Sequence, residues 1–343
     1  MLFKNFKKVL LLLNHEERKA AFFLYLIIIL TAFIDTLGIA SILPFMSVLS
    51  NNDLIENNNT LNMIYENSKN FGVKNHEEFK FFLGLIVFVI LVTSLAFKAF
   101  ANYKQAQFVQ LRTYSISRRL VKKYLHQAYS WFLNNNSSNL GKSILSEVDH
   151  VITLGVNPLI EIIAKSTVII SILTLLIITN PKVTLIASLL LSSLYIIIFY
   201  LFKGYLERLG QARLDNNKLR FISVNEAFRG IKDIKLRGIE QIYIDLYSGA
   251  ASKFAKFKTI AYVISFLPRY LLEAIAFGGA LLLILNIILQ GGGFNSSIPI
   301  ISLFIFAGYR LMPAFQQIYG AFTQLAFAGP ALDKLYDDFE NLK

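Results

Sequence analysis

At 343 residues the chain is long enough for two or three soluble domains, but 55% of its residues are hydrophobic and only 16% are charged. This composition excludes an ordinary globular protein and indicates a membrane protein. The sequence has no cysteine, which excludes disulfides, thiol nucleophiles and cysteine metal sites. The four histidines lack the spacing of metal ligands, so we expect no metal site.

Six apolar segments follow one another along the chain, each near the length that crosses a bilayer as a helix. They are residues 20–49, 80–101, 152–179, 183–202, 259–290 and 298–327. Lys and Arg are concentrated before the first segment and in residues 102–151 and 203–258, whereas the other links contain few of them. The positive-inside rule therefore predicts that both termini and both long loops are cytoplasmic. This placement explains the net charge of +12 without nucleic acid as a partner.

The segments outside the six spans also carry helical patterns. Both long loops keep apolar residues at helical intervals, so we expect the spans to continue as helices into the cytoplasm. Residues 1–19 indicate an amphipathic segment held to anionic lipid at the inner surface by its lysines. Residues 54–71 predict a short external helix, lying either on the outer membrane surface or as a capped loop helix. The residues near its apolar face are Leu61, Ile64, Tyr65 and Phe71.

Three stretches resemble the transmembrane domain of ABC exporters. "WFLNNNSSNLGKSILSEVDHV" (131–151) is similar to the first intracellular loop of that family, and "NEAFRGIKDIKLRGIE" (225–240) is similar to the second. "GPALDKLYDDFENL" (329–342) resembles the linker that leads into a nucleotide-binding domain. The resemblance covers essentially the whole chain. It implies an all-α polytopic membrane protein with six long transmembrane helices extended into the cytoplasm, which forms a homodimer with a second copy of itself.

In that family, short helices at the loop tips transmit closure of the nucleotide-binding domain to the helix bundle. The resemblance therefore implies that side chains at the two loop tips contact this domain. They are Trp131, Phe132 and Asn134 in the first loop, and Ile234, Lys235 and Glu240 in the second. The alternative is that "YSWFLNN" only turns the corner between two helices.

The membrane spans carry a closer resemblance. "FIDTLGIASILPFMSVL" in the first span, "LPRYLLEAIAF" in the fifth and "AGYRLMPAFQQI" in the sixth resemble the PglK-type flippases of lipid-linked oligosaccharides. This resemblance implies a multi-pass protein of a bacterial cytoplasmic membrane that contacts membrane lipids and flips or exports a lipid-pyrophosphate-linked glycan. The alternatives are a peptide, toxin or multidrug exporter of the same fold, or a non-transporting membrane partner of an ATPase.

The sequence contains no ATP-binding motif. No phosphate loop of the form GxxxxGK[ST] occurs in it, and no stretch resembles the family signature LSGGQ. We therefore expect no cofactor in this chain. ATP and Mg are expected to bind a nucleotide-binding domain that is fused downstream or belongs to another chain.

Four of the ionisable residues inside predicted spans are candidates for a functional role, because a charge at a helix centre costs roughly 2.5–3.5 kcal/mol. They are Asp35, Arg269, Glu273 and Arg310. Two interpretations remain open. The four residues form a closed network whose formal charges cancel, or they line a substrate cavity in which an arginine binds phosphate. We interpret Lys98 and the Glu161–Lys165 pair as snorkelling and local pairing.

Overall fold

The computed structural model describes residues 8–9, 11–50, 55, 59–133, 137–179, 181–289 and 294–341, and within these residues the chain is helical without strands. Its helices are α1 (His15–Ala40), α2 (Ile42–Ser50), α3 (Asn59–Ser68), α4 (His76–Leu125), α5 (Tyr129–Leu133), α6 (Ser137–Lys142), α7 (Val148–Val151), α8 (Asn157–Thr179), α9 (Pro181–Arg229), α10 (Ile231–Arg237), α11 (Glu240–Leu289) and α12 (Phe294–Asn341). Two π-helical segments, Ser143–Glu147 and Ile152–Val156, join α6, α7 and α8 into one rod. The predicted all-α polytopic fold is confirmed.

The four longest helices, α4, α9, α11 and α12, have 48 to 50 residues each. At 1.5 Å per residue they are roughly 72–75 Å long, more than twice the hydrocarbon thickness of about 30 Å. Most of residues 102–151 and 203–258, the two predicted intracellular loops, is therefore helix. In the described part of the chain, three helical stretches are long and apolar enough to cross a membrane: His15–Leu49, His76–Leu125 and Ser138–Thr179. We still predict that the last three spans, 183–202, 259–290 and 298–327, also cross the membrane.

The first predicted span is two helices rather than one, because the chain bends at Ser41 between α1 and α2. Pro44 has no backbone N–H, so the carbonyl of Ala40 lacks its usual donor four residues later. The Ser41 hydroxyl donates to the carbonyl of Gly38 at 2.8 Å and closes the end of α1. Proline does not have this effect in α11, which continues through Pro268.

Helix α12 lies at the centre of the fold and packs against α2, α8, α9 and α11. It approaches α9 most closely at Gly210, where an added Cβ atom would lie 2.1 Å from the carbonyl oxygen of Phe327. Only glycine permits this approach of the two backbones. Close to this crossing, Arg213 of α9 pairs with Glu147 at the end of the first π-helical segment.

The described part of the N-terminal segment packs against protein, and the expected contact of residues 1–19 with anionic lipid stays a prediction. Helix α1 already begins at His15. Before it, Val9 and Leu12 are buried in a core that α4, α7 and α12 share. Lys8 pairs with Asp333 of α12 at 2.6 Å. Residues 1–7 and 10 lie outside the described residues.

Helix α3, which the sequence predicts to be external, also packs against protein. Leu61 is buried beside Val48 and Phe79, and Ile64 packs against the same cluster. The Tyr65 ring meets the ring of Phe79 edge-on, with 5.0 Å between their centroids. These contacts favour the capped loop helix over a helix lying on lipid. The side chain of Phe71, residue 54 and residues 56–58 lie outside the described residues.

Candidate transport site

A pocket with both charged and apolar lining lies between α1, α4, α8 and α12, and all of its lining residues except Asn102 and Gln105 belong to predicted spans. Its charged members are Asp35, Lys98, Lys165 and Arg310, and its uncharged polar members include Thr31, Asn102, Gln105 and Gln317. The lining therefore carries three cations and one carboxylate. In hydrocarbon such a set is stable only when it faces the bundle interior and finds partners.

Helical spacing explains why these side chains share one pocket. On α4, Lys98, Asn102 and Gln105 are separated by four and three residues, which places them on one face. On α12, Arg310 and Gln317 are seven residues apart and again share a face. Each apolar helix thus carries one polar stripe, and the packing turns these stripes toward each other.

Asp35 is the best-defined contact in the pocket. Its Oδ1 atom lies 3.0 Å from Nη1 of Arg310. The same oxygen accepts a hydrogen bond of 2.8 Å from the hydroxyl of Ser94. Only 6% of the Asp35 side chain and 15% of the Arg310 side chain are exposed, so this ion pair is largely removed from solvent.

A chain of polar contacts continues from the pocket toward the cytoplasmic ends of the predicted spans. Nε2 of Gln105 donates to Oδ1 of Asn157 at 2.9 Å, and Nδ2 of Asn157 donates to Oε1 of Glu161 at 3.0 Å. Glu161 and Lys165 are one turn apart on α8, within electrostatic reach of each other. Lys165 also lies within electrostatic reach of Asp35 and Lys98.

The structure adds to the interpretation of Lys98 and Lys165. Both line the pocket. Glu161 lies within electrostatic reach of Lys165, as local pairing requires, whereas snorkelling of these lysines stays a prediction. The signal for Lys98 was present in the sequence, because Ser94, Asn102 and Gln105 mark the same face of an otherwise apolar helix. The lysine and its polar neighbours together predict an inward face better than the lysine alone.

Arg269 and Glu273 form a separate pair on α11, with 2.6 Å between Nε and Oε1. The side chains are 51% and 36% exposed, and neither lines the pocket. Asp35 pairs with Arg310 instead. In the described part of the chain no ion pair joins these two pairs, so the four residues form two separate ion pairs there rather than one connected network.

At the tip of the first predicted intracellular loop, α5 turns the predicted aromatic residues partly inward. Trp131 stacks on Tyr124 of α4 with 5.6 Å between ring centroids, and Phe132 meets Trp131 edge-on at 5.1 Å. The exposed apolar side chains of α5 are Tyr129 and Leu133. Asn134 lies outside the described residues.

At the second tip, the short helix α10 is bounded by Gly230 and by Gly238, whose φ is +66°. Ile234 is buried in an apolar groove between α9 and α11. Lys235 pairs with Glu240 at 3.0 Å on the surface. The side chain of Leu236, in contrast, is 76% exposed and is available to a partner.

Residues 20–308 match the family model described as the ABC transporter transmembrane region. The matched residues are more than half of the chain. They contain Asp35, Lys98 and Lys165 of the pocket and both cytoplasmic tips, and they end just before Arg310.

Proposed function

Because this chain belongs to the ABC transporter transmembrane family, whose members form the membrane part of a transporter, we propose that it flips or exports a lipid-linked, glycan-bearing anionic substrate. The observation that carries this proposal is the charge of the pocket. Lys98, Lys165 and Arg310 line it together with a single carboxylate, Asp35. We assign the transporter to a bacterial cytoplasmic membrane with both chain termini on the cytoplasmic side, as the loop charges predict.

Three cations in an apolar bundle need more negative charge than the pocket supplies. Each Lys or Arg costs roughly 2.5–3.5 kcal/mol at a helix centre on the insertion scale. Asp35 compensates one of them, and Glu161 beside Lys165 compensates a second. A phosphate group would supply the remaining charge. The guanidinium of Arg310 suits phosphate because it can donate two parallel hydrogen bonds.

The size of the pocket limits which part of the substrate enters it. Its cavity volume is about 80 Å³. A single water needs about 10–15 Å³ on this measure, so the cavity accommodates several waters or one phosphate-sized group. In this proposal the charged linkage enters the pocket, whereas the lipid tail and the glycan remain outside it.

Arg269 and Glu273 provide a second contact for the substrate in this proposal. About half of the Arg269 side chain is exposed, and the guanidinium reaches Glu273 through Nε. A phosphate can therefore replace Glu273 without opening a buried ion pair. We propose that Arg269 contacts the substrate outside the pocket and Arg310 contacts it inside.

The proposal also includes two partners. We assign α5 and α10 to contact with the nucleotide-binding domain, which binds ATP and Mg. Both tips expose apolar side chains to water, Tyr129 and Leu133 on one and Leu236 on the other, and such side chains suit a protein contact. The second partner is another copy of the same chain, which would complete a homodimer.

The pocket favours an anionic substrate over the cargo of a multidrug exporter. A hydrophobic cation would meet an excess of positive charge and uncharged amides such as Asn102 and Gln317. A non-transporting membrane partner would have no use for buried cations that cost insertion free energy.

The complete transporter, reconstituted in nanodiscs with its nucleotide-binding domain, tests this proposal. A lipid-pyrophosphate-linked sugar is expected to stimulate ATP hydrolysis, and the same lipid ending in an alcohol is not. Lys98→Met and Lys165→Met should each raise the concentration of lipid-linked sugar that gives half-maximal stimulation of ATP hydrolysis at least about tenfold. The reason is that each variant loses about 1.4 kcal/mol or more of phosphate binding free energy. Lys104→Met removes a half-buried cation of the same helix that does not line the pocket, and it is the matched control.

Two results would count against the proposal. Stimulation by hydrophobic cations but not by phosphate-bearing lipid would exclude an anionic substrate. If Lys98→Met, Lys165→Met and Lys104→Met all respond as the unmodified transporter does, the pocket is not the binding site.

A further inference from the structure

We infer that Asp35 is an internal competitor of the substrate: its carboxylate holds Arg310 while the pocket is empty, and the phosphate displaces it when the substrate enters. The inference rests on the proposed function, because it concerns the same pocket. It adds a regulatory role for a residue that would otherwise only neutralise an arginine.

The geometry of the ion pair leaves Arg310 available to a better ligand. Asp35 meets the guanidinium through one oxygen and one nitrogen, Oδ1 and Nη1, at 3.0 Å. A bidentate arginine pair uses two parallel N–H groups, so this contact uses only part of the donor set. A phosphate that binds two N–H groups of Arg310 can therefore replace a carboxylate that binds one.

The carboxylate keeps a partner after it has released Arg310. The hydroxyl of Ser94 donates to the same oxygen at 2.8 Å, and Ser94 belongs to α4 rather than to α12. Lys165 on α8 also lies within electrostatic reach of Asp35. Asp35 can thus remain charged and partnered on the α4 and α8 side of the pocket while Arg310 binds phosphate.

This exchange would limit affinity and assist release. With Asp35 present, a phosphate must displace the carboxylate from Arg310 and then remain close to the negative charge of that carboxylate. Once transport has carried the phosphate away, the carboxylate returns to Arg310 and hinders rebinding. A transporter needs such weak binding at the end of its cycle, because a substrate held too tightly leaves slowly.

Asp35→Asn provides the direct test, because asparagine has nearly the same shape and retains an oxygen for Ser94. We expect the variant transporter to bind inorganic pyrophosphate at least about tenfold more tightly than the unmodified transporter, measured by calorimetry in detergent. With a lipid-pyrophosphate-linked sugar, half-maximal ATPase stimulation should move to lower concentration while the maximal rate falls. A purely structural role for Asp35 predicts weaker binding instead.

Two controls separate the effect from a general change of charge or fold. Asp149→Asn removes an exposed carboxylate in α7 and should change neither measurement. Asp35→Glu keeps the negative charge and should not bind pyrophosphate more tightly than the unmodified protein. If Asp35→Asn folds poorly, Asp35→Ser removes the carboxylate with a smaller side chain and should show the same gain in affinity.

The outcomes distinguish the two proposals. If the unmodified transporter responds to the lipid-linked sugar but Asp35→Asn and Asp35→Ser bind pyrophosphate no better, the competitor role is overturned and the proposed function stands. If the transporter ignores the lipid-linked sugar but Asp35→Asn gains affinity for pyrophosphate, the competitor role stands and the substrate class is wrong.

Discussion

At the scale of single residues, the buried pair of Glu147 and Arg213 should be important for stability. The two side chains are 4% and 3% exposed and lie 2.6 Å apart, and Asn217 donates a second hydrogen bond of 2.7 Å to Glu147. Glu147→Gln leaves Arg213 charged and unpaired, which costs about 3–5 kcal/mol. We expect a clear fall in the apparent Tm, followed through the fluorescence of Trp131, the single tryptophan.

An exposed ion pair supplies the control for this substitution. Lys235 and Glu240 are 66% and 38% exposed, so Glu240→Gln should lower the stability far less than Glu147→Gln does. The double variant Glu147→Gln/Arg213→Met removes both buried charges and should recover part of the lost stability. Equal Tm values for Glu147→Gln and Glu240→Gln would show that the buried pair does not stabilise the fold.

Lys142 is buried in the part of the α6–α8 rod that precedes the predicted span 152–179, and it should make stability depend on pH. Burial and the nearby Lys334 lower the pKa of Lys142 to about 8 from 10.5. Below about pH 8 the lysine is charged in both the folded and the unfolded chain, so the full cost of burying the charge, on the order of 3 kcal/mol, is present. As the pH rises from 8 to 10.5, the folded protein loses the proton first and the cost disappears.

Lys142→Met should therefore raise the apparent Tm most at pH 7 and progressively less toward pH 10. Thermal unfolding of both proteins between pH 7 and pH 10 measures this. Lys104→Met, at a lysine of α4 that is only half-buried, should show no such trend. A Tm difference that stays constant over this pH range would contradict the lowered pKa of Lys142.

At the scale of helices, the close crossing of α9 and α12 requires a residue without a side chain, Gly210. Gly210→Ala would place Cβ 2.1 Å from the backbone oxygen of Phe327, and two backbones cannot move apart without loosening their neighbours. We expect a lower Tm and weaker transport. Gly249→Ala in α11 meets no atom within 4 Å and should be neutral or stabilise by up to about 1 kcal/mol. A Gly210→Ala protein as stable as Gly249→Ala would mean that the helices separate freely.

The helices themselves could be predicted from the sequence, because long apolar segments with a period of 3.6 residues are local information. The bend at Ser41 was also available locally, since Pro44 removes the donor for Ala40. The pocket was not. The polar stripe around Lys98 shows which face of α4 turns inward, but no local pattern shows that α1, α8 and α12 complete the pocket.

The same limit explains the other corrections at this scale. The apolar faces of α3 and of the segment around Val9 were recognised, but an apolar face has the same pattern whether it contacts lipid or protein. The separation of Arg269 from Arg310 likewise depends on how α11 and α12 pack, which the spacing within one helix cannot show.

At the scale of the whole molecule, the beginning and the end of the described chain meet, on the side that the loop charges predict to be cytoplasmic. Lys8 pairs with Asp333 of α12, and Glu17 of α1 lies 3.2 Å from Arg112 of α4. The last residues of α12 pack in the same core as the N-terminal segment. Movement of the cytoplasmic end of α12 should therefore move α1 and α4, two helices that line the pocket.

The tip helix α10 offers a test of how such movement begins. Two apolar side chains of α10 differ in their exposure, because Leu236 is exposed and Ile234 is buried. We therefore expect them to have different roles. Leu236→Asp should leave the apparent Tm unchanged and reduce substrate-stimulated ATP hydrolysis of the complete transporter several-fold, because it places a charge in the proposed contact with the nucleotide-binding domain. Ile234→Ala should instead lower the Tm by removing about 2–5 kcal/mol of core packing.

Arg229→Gln, close by at the end of α9, is the control for a general change of surface charge. If Leu236→Asp and Arg229→Gln hydrolyse ATP equally well under substrate stimulation, α10 does not couple the two domains through Leu236.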